Sequence, residues 1–401
     1  MSDSTPTPRP TLRLKPKVDA KRIRHGHPWV YLDDIVADRR SRAIAPGSLA
    51  VLEDADRVPL ATVGVNMGSR IAARVLSPDP DAAIDGAWIA ARLSTAVTHR
   101  DRLIGAPFYR LIHAEADGMP GVVIDRFGEA AVVQPNAAWA DVLVEEIAAA
   151  LTDLGIAHVL LNASGRARTT EGLSDGTRWL RGGLDAAVAV PMNGATYMAD
   201  LTGGQKTGLF FDQRPNHAFL AGLAKDATVL DVFSHVGGFG LAALAAGAVS
   251  ALAVDGSAPA LALAEEGASR MGRAEAFTTR KGDAFEVMTA LGEEGMRFDI
   301  VVADPPAFAP AKPALTAGLR AYERVARLAA PLVASGGYLT LCSCSHAAEL
   351  SKFRASCIRG IGRAGRTAQL IHTGFAGADH PVHPQLAESG YLKALTFRLL
   401  D

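Results

Sequence analysis

Short runs in which hydrophobic and polar residues alternate occupy the first part of the chain. The runs fall at 12–14, 29–31, 49–52 and 71–76. Alternation with a period of two is typical of half-buried strands, and the Gly, Asp and Pro residues between the runs are typical of turns. We therefore predict a β-rich domain over residues 11–78, which ends at the Pro/Asp-rich stretch 77–81.

Helical and strand-like patterns are mixed in the next segment. Apolar residues at helical spacing predict helices over 86–103 and 137–153. Strand-like runs lie at 109–113, 121–125, 130–133 and 157–161. This order predicts a compact α+β domain over residues 79–188.

From about residue 190, strand-like apolar runs alternate regularly with helical patterns. Strands are predicted at 228–232, 250–254, 276–280, 298–303 and 335–342, and helices near 238–247, 257–271, 283–293 and 317–334. Repeated strand–helix units form open parallel sheets with helices on both faces. We predict the α/β fold class, with a Rossmann-like domain over 189–401 preceded by the small β-rich and α+β domains.

The composition is that of an ordinary globular protein. Of the 401 residues, 49% are hydrophobic and 21% are charged, and the net charge is −1. No apolar run approaches the roughly 18 residues of a membrane span, and the polar first ten residues lack the pattern of a signal peptide. The three cysteines all follow residue 340, which argues against a disulfide framework. We expect a cytoplasmic protein with no membrane partner.

Positive charge is concentrated near the N-terminus. Between Arg9 and Arg24 there are seven Lys or Arg residues and one acid, Asp19. Such a strip can neutralise RNA phosphates even on a neutral protein, with Arg22 and Arg24 as candidate ligands. A solvated charged face explains the composition equally well.

Aspartates and glycines mark the ends of the predicted parallel strands. These ends meet at one edge of a sheet, where ligands bind. The order of the residues predicts a site for S-adenosylmethionine. The candidate ligands are Asp231, Phe233, Ser234, His235, Gly237, Gly238, Asp255, Ser257, Asp283 and Ala284.

Two of these positions have a specific expected role. Asp255 is placed to accept hydrogen bonds from ribose hydroxyls, and Asp283 from the adenine amine. Simpler alternatives exist for single features of the pattern. The glycines suit a structural tight turn, and Asp283 suits the N-cap of a helix that starts at 284.

A rigid acidic motif ends the fourth strand. Asp304 is followed by Pro305 and Pro306, which fix the backbone, and Phe308 comes two residues later. We predict that Pro305, Pro306 and Phe308 hold a planar base beside the methyl donor. An acid-Pro-Pro-aromatic loop also suits methylation of an exocyclic amine, although here Ala307 separates the prolines from the aromatic residue.

Cys344 follows the predicted strand 335–342, at the same edge of the sheet. Carbon-5 of a pyrimidine becomes nucleophilic when a thiolate adds at carbon-6, so we predict that Cys344 is a nucleophile and that Asp304 stabilises the addition. Cys342 and Cys357 are interpreted as buried hydrophobic residues. Cys342, Cys344 and His346 alternate as zinc ligands would, but a fourth ligand is not apparent, and we predict no metal.

Several segments together resemble one family, the RlmI-type RNA methyltransferases, which form 5-methylcytosine in 23S ribosomal RNA. The most specific match is Gly204-Gln205-Lys206-Thr207-Gly208-Leu209-Phe210-Phe211-Asp212-Gln213-Arg214-Pro215-Asn216, and further matches lie at 27–31, 114–121, 378–381 and 390–393. The resemblance covers residues 11 to 400. It implies a PUA domain, an EEHEE linker domain, a Rossmann-like methyltransferase domain and a homodimer.

The resemblance also assigns roles to residues. Cys344 falls on the family's nucleophile in a Ser-Cys-Ser motif, and Lys206, Thr207 and Arg214 fall on the loop that closes over the cofactor site. Lys206 and Arg214 suit either a cofactor carboxylate or an RNA phosphate. The chain departs from the family at some positions, namely His235-Val236, Ala307, Ala326 and Met192. Ala307 replaces a lysine that would lie near the substrate.

These patterns predict an S-adenosylmethionine-dependent RNA methyltransferase that acts on cytosine carbon-5, in 23S ribosomal RNA. One alternative is an enzyme that methylates an exocyclic amine through Asp304-Pro305-Pro306, with Cys344 as a bystander. Another is a ribosome-assembly or RNA-binding factor without catalytic activity.

Overall fold

The computed structural model describes residues 9–203 and 208–400 and divides into two compact units. One unit comprises the chain up to Asp185 together with Pro381–Ala387. The other comprises Ala186–His380 and Glu388–Asp401. Lys206 and Thr207, predicted above to lie on a loop over the cofactor site, are outside the described residues. No helix of the described chain is both long enough and apolar enough to cross a membrane.

The first unit begins with a five-stranded sheet. Its strands are β1 (Thr11–Arg13), β2 (Trp29–Tyr31), β3 (Leu49–Glu53), β4 (Pro59–Val65) and β5 (Ile71–Ser77), and its short helices are α1 (Lys21–Arg24) and α2 (Arg39–Arg42). The strand order is β1-β3-β4-β5-β2, and the pairs are antiparallel except for β1 with β3. The predicted alternation is present, since Leu12, Val30, Leu52 and Val63 point into one buried core.

A second five-stranded sheet completes this unit. The elements are α3 (Gly86–Ile104), β6 (Phe108–His113), β7 (Val122–Phe127), β8 (Ala130–Pro135), α4 (Ala138–Val142), α5 (Val144–Asp153), β9 (His158–Ala163), α6 (Arg166–Glu171) and β10 (Gly176–Arg181). The order is β10-β9-β8-β7-β6. The single helix predicted over 137–153 is in fact two helices, which are separated at Leu143.

The second unit contains a two-stranded and a seven-stranded sheet. Its elements are β11 (Val188–Met192), β12 (Ala195–Ala199), α7 (Arg214–Ala221), β13 (Thr228–Val232), α8 (Gly238–Ala245), β14 (Ser250–Asp255), α9 (Ala258–Arg270), β15 (Phe277–Lys281), α10 (Ala284–Glu293), β16 (Phe298–Ala303), α11 (Leu315–Ala329), β17 (Val333–Ser343), α12 (Leu350–Arg363), β18 (Ala368–Gly374) and β19 (Lys393–Leu399). The large sheet has the order β15-β14-β13-β16-β17-β19-β18. The Rossmann-like fold class predicted from the sequence is confirmed.

The alternation of strands and helices predicts a sheet that is parallel throughout. The observed sheet is not. The strands from β15 to β17 are parallel, but β19 runs antiparallel to both of its neighbours, β17 and β18. The sequence did not predict β18 because most of its residues are exposed and lack alternation. In the sheet, β19 lies between β17 and β18, both of which precede it in the chain.

The topology determines where a ligand can bind. From β13 the chain proceeds to β14 and β15 on one side, and then crosses over to β16 on the other side. The loops after β13 and β16 consequently diverge and leave a crevice at the carboxyl ends of these strands. Buried side chains of Leu230, Val254 and Val301 pack below this crevice and support it.

Candidate active site

A cavity of about 400 Å³ lies at this edge of the large sheet. Its lining comprises Leu209, Phe210, Asp212, Gln213, His217, Asp231, Phe233, Ser234, His235, Val236, Gly238, Phe239, Asp255, Gly256, Asp304, Pro305, Pro306, Ala307, Cys344 and Leu392. Many residues that the sequence singled out separately are thus brought together. They are Asp231, Phe233, Ser234, His235, Gly238, Asp255, Asp304, Pro305, Pro306 and Cys344.

Other predicted residues of this unit lie behind the cavity wall or beside it. Gly237, Ser257, Asp283, Ala284, Phe308 and Arg214 are not among the lining residues in the part of the chain that is described. Arg214 is largely buried, with its guanidinium 5.5 Å from the ring centroid of Phe211, and burial lowers its pKa. Phe308 packs against Tyr322, with ring centroids 5.0 Å apart.

The loop after β13 has an unusual backbone. Phe233 and His235 adopt φ values of 62° and 49°, a left-handed conformation that costs energy for residues other than glycine. Gly237 has φ 79°, and a Cβ on Gly238 would lie 2.8 Å from His217 Nε2. Glycine is therefore favoured at 237 by the left-handed backbone and at 238 by the close approach of the His217 ring. The strain lies on either side of Ser234, which lines the cavity.

Asp231 is fully buried at the end of β13. Its Oδ2 accepts hydrogen bonds from the backbone N–H groups of Phe239 (3.1 Å) and Gly240 (2.9 Å). Its Oδ1, like the Oγ of nearby Ser234, has no hydrogen-bond partner among the described residues. Burial raises the pKa of Asp231 to about 7. Two buried oxygens in need of partners fit a ligand with donor groups, such as the amino acid moiety of S-adenosylmethionine.

The raised pKa predicts how stability depends on pH. Between about pH 4 and pH 7 the folded protein holds a proton on Asp231 that the unfolded chain releases, so stability should fall as pH rises through this window. We expect Asp231→Asn, which cannot ionise, to reduce this loss by roughly 3 kcal/mol. Urea unfolding at pH 5 and pH 7.5, without cofactor, measures the difference in the free energy of unfolding between the two pH values. The exposed Asp226→Asn is the control, and an unchanged pH slope in Asp231→Asn would contradict the prediction.

Asp255 and Asp283 end the next two strands in different ways. Asp255 lines the cavity, and its carboxylate accepts from His235 N (2.9 Å) and Ser257 N (2.8 Å), which orients it. Asp283 caps α10, since its Oδ1 accepts from the N–H groups of Phe285 and Glu286. The helix cap, which the sequence offered as the alternative for Asp283, is therefore formed. The proposed hydrogen bond between Asp283 and the adenine amine stays a prediction.

Asp304 is held in place by side chains from another element. Gln213 Nε2 donates to Asp304 Oδ2 at 2.8 Å, and Gln213 Oε1 accepts from Asn216 Nδ2 at 2.6 Å. Asn216 Nδ2 also donates to the carbonyl of Phe375 at 3.2 Å. This chain of hydrogen bonds fixes the Asp304 carboxylate at the carboxyl end of β16, beside Pro305 and Pro306.

Cys344 follows the last residue of β17 and is half-buried at the cavity. The serines on either side are anchored, because Ser343 Oγ and Ser345 Oγ lie 2.9 Å and 2.8 Å from the Tyr322 hydroxyl. Ser345 Oγ also accepts from Ala309 N at 3.0 Å. The thiol thus lies on an anchored segment between the end of β17 and the turn at 346–347, and it lines the same cavity as Pro305 and Pro306.

The other thiols are different. Cys342 and Cys357 are fully buried, and burial raises the pKa of each. Both are therefore unreactive at neutral pH, as the sequence predicted for packing residues. His346 is exposed, and no group of three side chains able to hold a metal ion occurs within residues 9–203 and 208–400.

Some lining residues were missed by the sequence reasoning. Asp212, Gln213 and His217 come from the signature segment and the start of α7, of which only Lys206, Thr207 and Arg214 had been assigned roles. Asp212 Oδ2 accepts from the Tyr391 hydroxyl at 2.6 Å. Burial lowers the pKa of His217 to about 3, so its imidazole is neutral. The signal available in the sequence was the run of polar residues Asp212, Gln213, Arg214, Asn216 and His217 directly after the apolar Leu209-Phe210-Phe211.

The basic strip belongs to the first unit. Arg22 forms an ion pair with Asp34, and Arg24 pairs with Asp54 at 3.1 Å. Part of the positive charge is consequently balanced within the unit. The exposed half of the Arg24 side chain is still accessible to a phosphate.

The fold and this cavity define a methyltransferase of the S-adenosylmethionine-dependent class. The family model of S-adenosylmethionine-dependent methyltransferases matches residues 140–398, and that of PUA-like domains matches residues 12–78. A solved structure described as a SAM-dependent methyltransferase from Streptococcus mutans has a similar fold, with a TM-score of 0.80 at 19% identity, over 97% of this chain and 100% of that one. The structure of SMU.776 complexed with SAH gives 0.81 at 19% identity, over 98% and 100%.

Curated relatives narrow the class to a family. The chain is 34% identical to ribosomal RNA large subunit methyltransferase I of Alteromonas mediterranea, over 97% of this chain and 98% of that protein. It is 33% identical to a ribosomal RNA large subunit methyltransferase of Deinococcus radiodurans, over 97% and 98%. The chain belongs to the family of these ribosomal RNA large subunit methyltransferases, and S-adenosylmethionine is its cofactor.

Proposed function

We propose that the protein methylates carbon-5 of a cytosine in 23S ribosomal RNA, with Cys344 as the nucleophile. The observation that carries the proposal is that Cys344 and Asp304 line one cavity with the cofactor loop after β13. They stand at the ends of the neighbouring parallel strands β17 and β16. The names of the relatives support a large-subunit ribosomal RNA as the substrate.

The proposed chemistry needs a nucleophile and a proton acceptor. The Cys344 thiolate adds to carbon-6 of the cytosine, which places the electron pair on carbon-5. When bound, S-adenosylmethionine would supply the electrophilic methyl group to this carbon and leave as S-adenosylhomocysteine. A base then removes the carbon-5 proton, the carbon-6–sulfur bond breaks, and the thiolate is restored.

The other side chains of the site bind the cytosine and the cofactor and orient them. Asp304, held by Gln213, forms a hydrogen bond with the amine or the ring nitrogen of the cytosine and stabilises the addition. Pro305 and Pro306 form the rim against which the base lies, with Phe308 behind them. Asp231, Ser234 and Asp255 offer acceptors to the cofactor, together with the remaining loop residues: Phe233, His235, Gly237, Gly238, Ser257, Asp283, Ala284, Lys206, Thr207 and Arg214.

The proposal includes the partners and the compartment. Arg22 and Arg24 of the PUA-like domain bind RNA phosphates, and the domains are those predicted over 11–78, 79–188 and 189–401. A ribosomal RNA substrate requires a cytoplasmic enzyme. Two chains form a homodimer, which light scattering would detect as twice the mass of one chain.

Nucleoside mass spectrometry of unmodified 23S ribosomal RNA tests the reaction. The RNA is incubated with S-adenosylmethionine and either the wild type or Cys344→Ala. We expect 5-methylcytosine with the wild type alone. An N-methylated base, or an unchanged yield with Cys344→Ala, would instead support amine methylation through Asp304-Pro305-Pro306. Failure of the wild type to bind the cofactor would support the non-catalytic RNA-binding factor.

A further inference from the structure

A buried lysine lies beneath the segment that carries the thiol. Lys393 is the first residue of β19, where it pairs with Ser343 of β17, and it is only 4% exposed. Burial of a lysine is unusual, because removing an ammonium group from water costs several kcal/mol unless other groups replace the water. A specific arrangement of acceptors is therefore required at this position.

The acceptors are backbone carbonyls. Lys393 Nζ donates to the carbonyl oxygens of Ser345 (2.7 Å) and Tyr391 (2.8 Å). Among the residues that the structure describes, no carboxylate lies within ion-pair distance of this ammonium. Its charge is consequently compensated by dipoles alone, and an anion nearby would be stabilised by it.

Cys344 is the titratable neighbour that can supply this anion. Burial lowers the pKa of Lys393 to about 8, whereas the charge of Cys344 acts in the opposite direction and raises it. Interaction between two charges is reciprocal, so the ammonium favours the thiolate of Cys344 to the same extent. Lys393 remains largely protonated at neutral pH.

We propose that Lys393 is a positioning residue that holds the Ser343–Ser345 segment at the end of β17 and keeps Cys344 in its thiolate form. The proposal rests on the proposed role of Cys344 as the nucleophile. The thiol gives its proton to solvent, Lys393 stays an ammonium throughout, and the sulfur electron pair is then available for carbon-6. No bond to Lys393 forms or breaks.

Other groups around the thiol act against the thiolate. Asp304 lines the same cavity from the end of β16, as does Asp212 from the segment before α7. Burial raises the pKa of Tyr322 of α11 and of Cys342 of β17, and the charge of Cys344 raises both further, so these two groups stay neutral beside the thiol. His346 is exposed beyond this segment. Lys393 offsets this negative surrounding from β19.

The pH dependence of alkylation tests the proposal without RNA or cofactor. The full-length protein is treated with iodoacetamide, and modification of Cys344 is followed by peptide mass spectrometry from pH 5.5 to pH 10. In Lys393→Met we expect the midpoint of the rate to rise by about one pH unit, so that the rate at pH 7 falls about tenfold. Lys393→Arg should keep the midpoint near that of the wild type.

Controls separate charge from folding. Lys225→Met removes an exposed lysine of the same unit and should change nothing. Lys393→Gln keeps a hydrogen-bond donor without the charge and should behave like Lys393→Met, and it replaces that variant if Lys393→Met does not fold. Circular dichroism establishes folding.

Three results would overturn the proposal. They are an unchanged midpoint in folded Lys393→Met or Lys393→Gln, an equal shift in Lys393→Arg, or a wild-type midpoint at or above the ordinary thiol value of about 8.5. Because alkylation does not depend on methyl transfer, these results leave the proposed function standing. Conversely, 5-methylcytosine formation by Cys344→Ala would refute the proposed function whatever the midpoint.

Discussion

Replacing Cys344 by alanine should lower kcat/KM for RNA methylation by on the order of 10⁴-fold or more, with the affinity for S-adenosylmethionine changed less than about twofold. The large effect is expected because carbon-5 has no other route to sufficient nucleophilicity. Cofactor affinity should persist because none of the proposed cofactor acceptors lies on β17: Asp231 and Asp255 end β13 and β14, and Ser234 lies in the loop after β13. Single-turnover kinetics and calorimetry measure the two quantities, and Cys357→Ala, which removes a buried thiol of α12, is the matched control.

A covalent complex gives a second readout of the same prediction. RNA that carries 5-fluorocytosine has no proton to lose at carbon-5 after methyl transfer, so the carbon-6–sulfur bond should persist. A protein–RNA species that survives denaturing electrophoresis is expected with the wild type and not with Cys344→Ala. Its appearance with both proteins would assign the bond to another residue.

Asp304→Asn should lower kcat by about 10²–10³-fold and change the KM for RNA much less. The amide retains the shape of the side chain and one acceptor oxygen, but it cannot carry a proton to the ring nitrogen, where negative charge builds up when the thiolate adds. Gln213 would still reach it, so the loop should stay in place. Pre-steady-state methylation of 23S ribosomal RNA measures kcat.

The matched control for Asp304 is Asp299→Asn. Asp299 lies near the start of β16, where it is exposed and accepts from Thr228. If kcat for Asp304→Asn lies within about threefold of the value for Asp299→Asn, the carboxyl group of Asp304 takes no part in the chemical step.

The fold and much of the site could be predicted because buried parallel strands have a characteristic sequence pattern. Their apolar runs identify the sheet, and the residues after each run must lie at one edge. For this reason Asp231, Asp255, Asp304 and Cys344 were selected correctly as neighbours at one cavity.

The remainder depends on long-range contacts that local patterns do not record. Asp212 and Gln213 reach the cavity from a segment before α7 that lacks strand or helix periodicity, and His217 reaches it from α7 itself. Asp283 was ambiguous because the same residue type at the same position serves as a helix cap or as a ligand. Lys393 is buried only because β19 lies beside β17, and nothing in the sequence around it indicates that placement.

The position of β19 in the sheet has a consequence for the order of assembly. Within the described sheet, β18 is paired with β19 alone, although it precedes β19 in the chain. During synthesis on the ribosome β18 therefore has no neighbour until residues 393–399 have emerged, and the edge of β17 stays open. Since β19 begins with Lys393, closing this edge and placing the ammonium under Cys344 are one event.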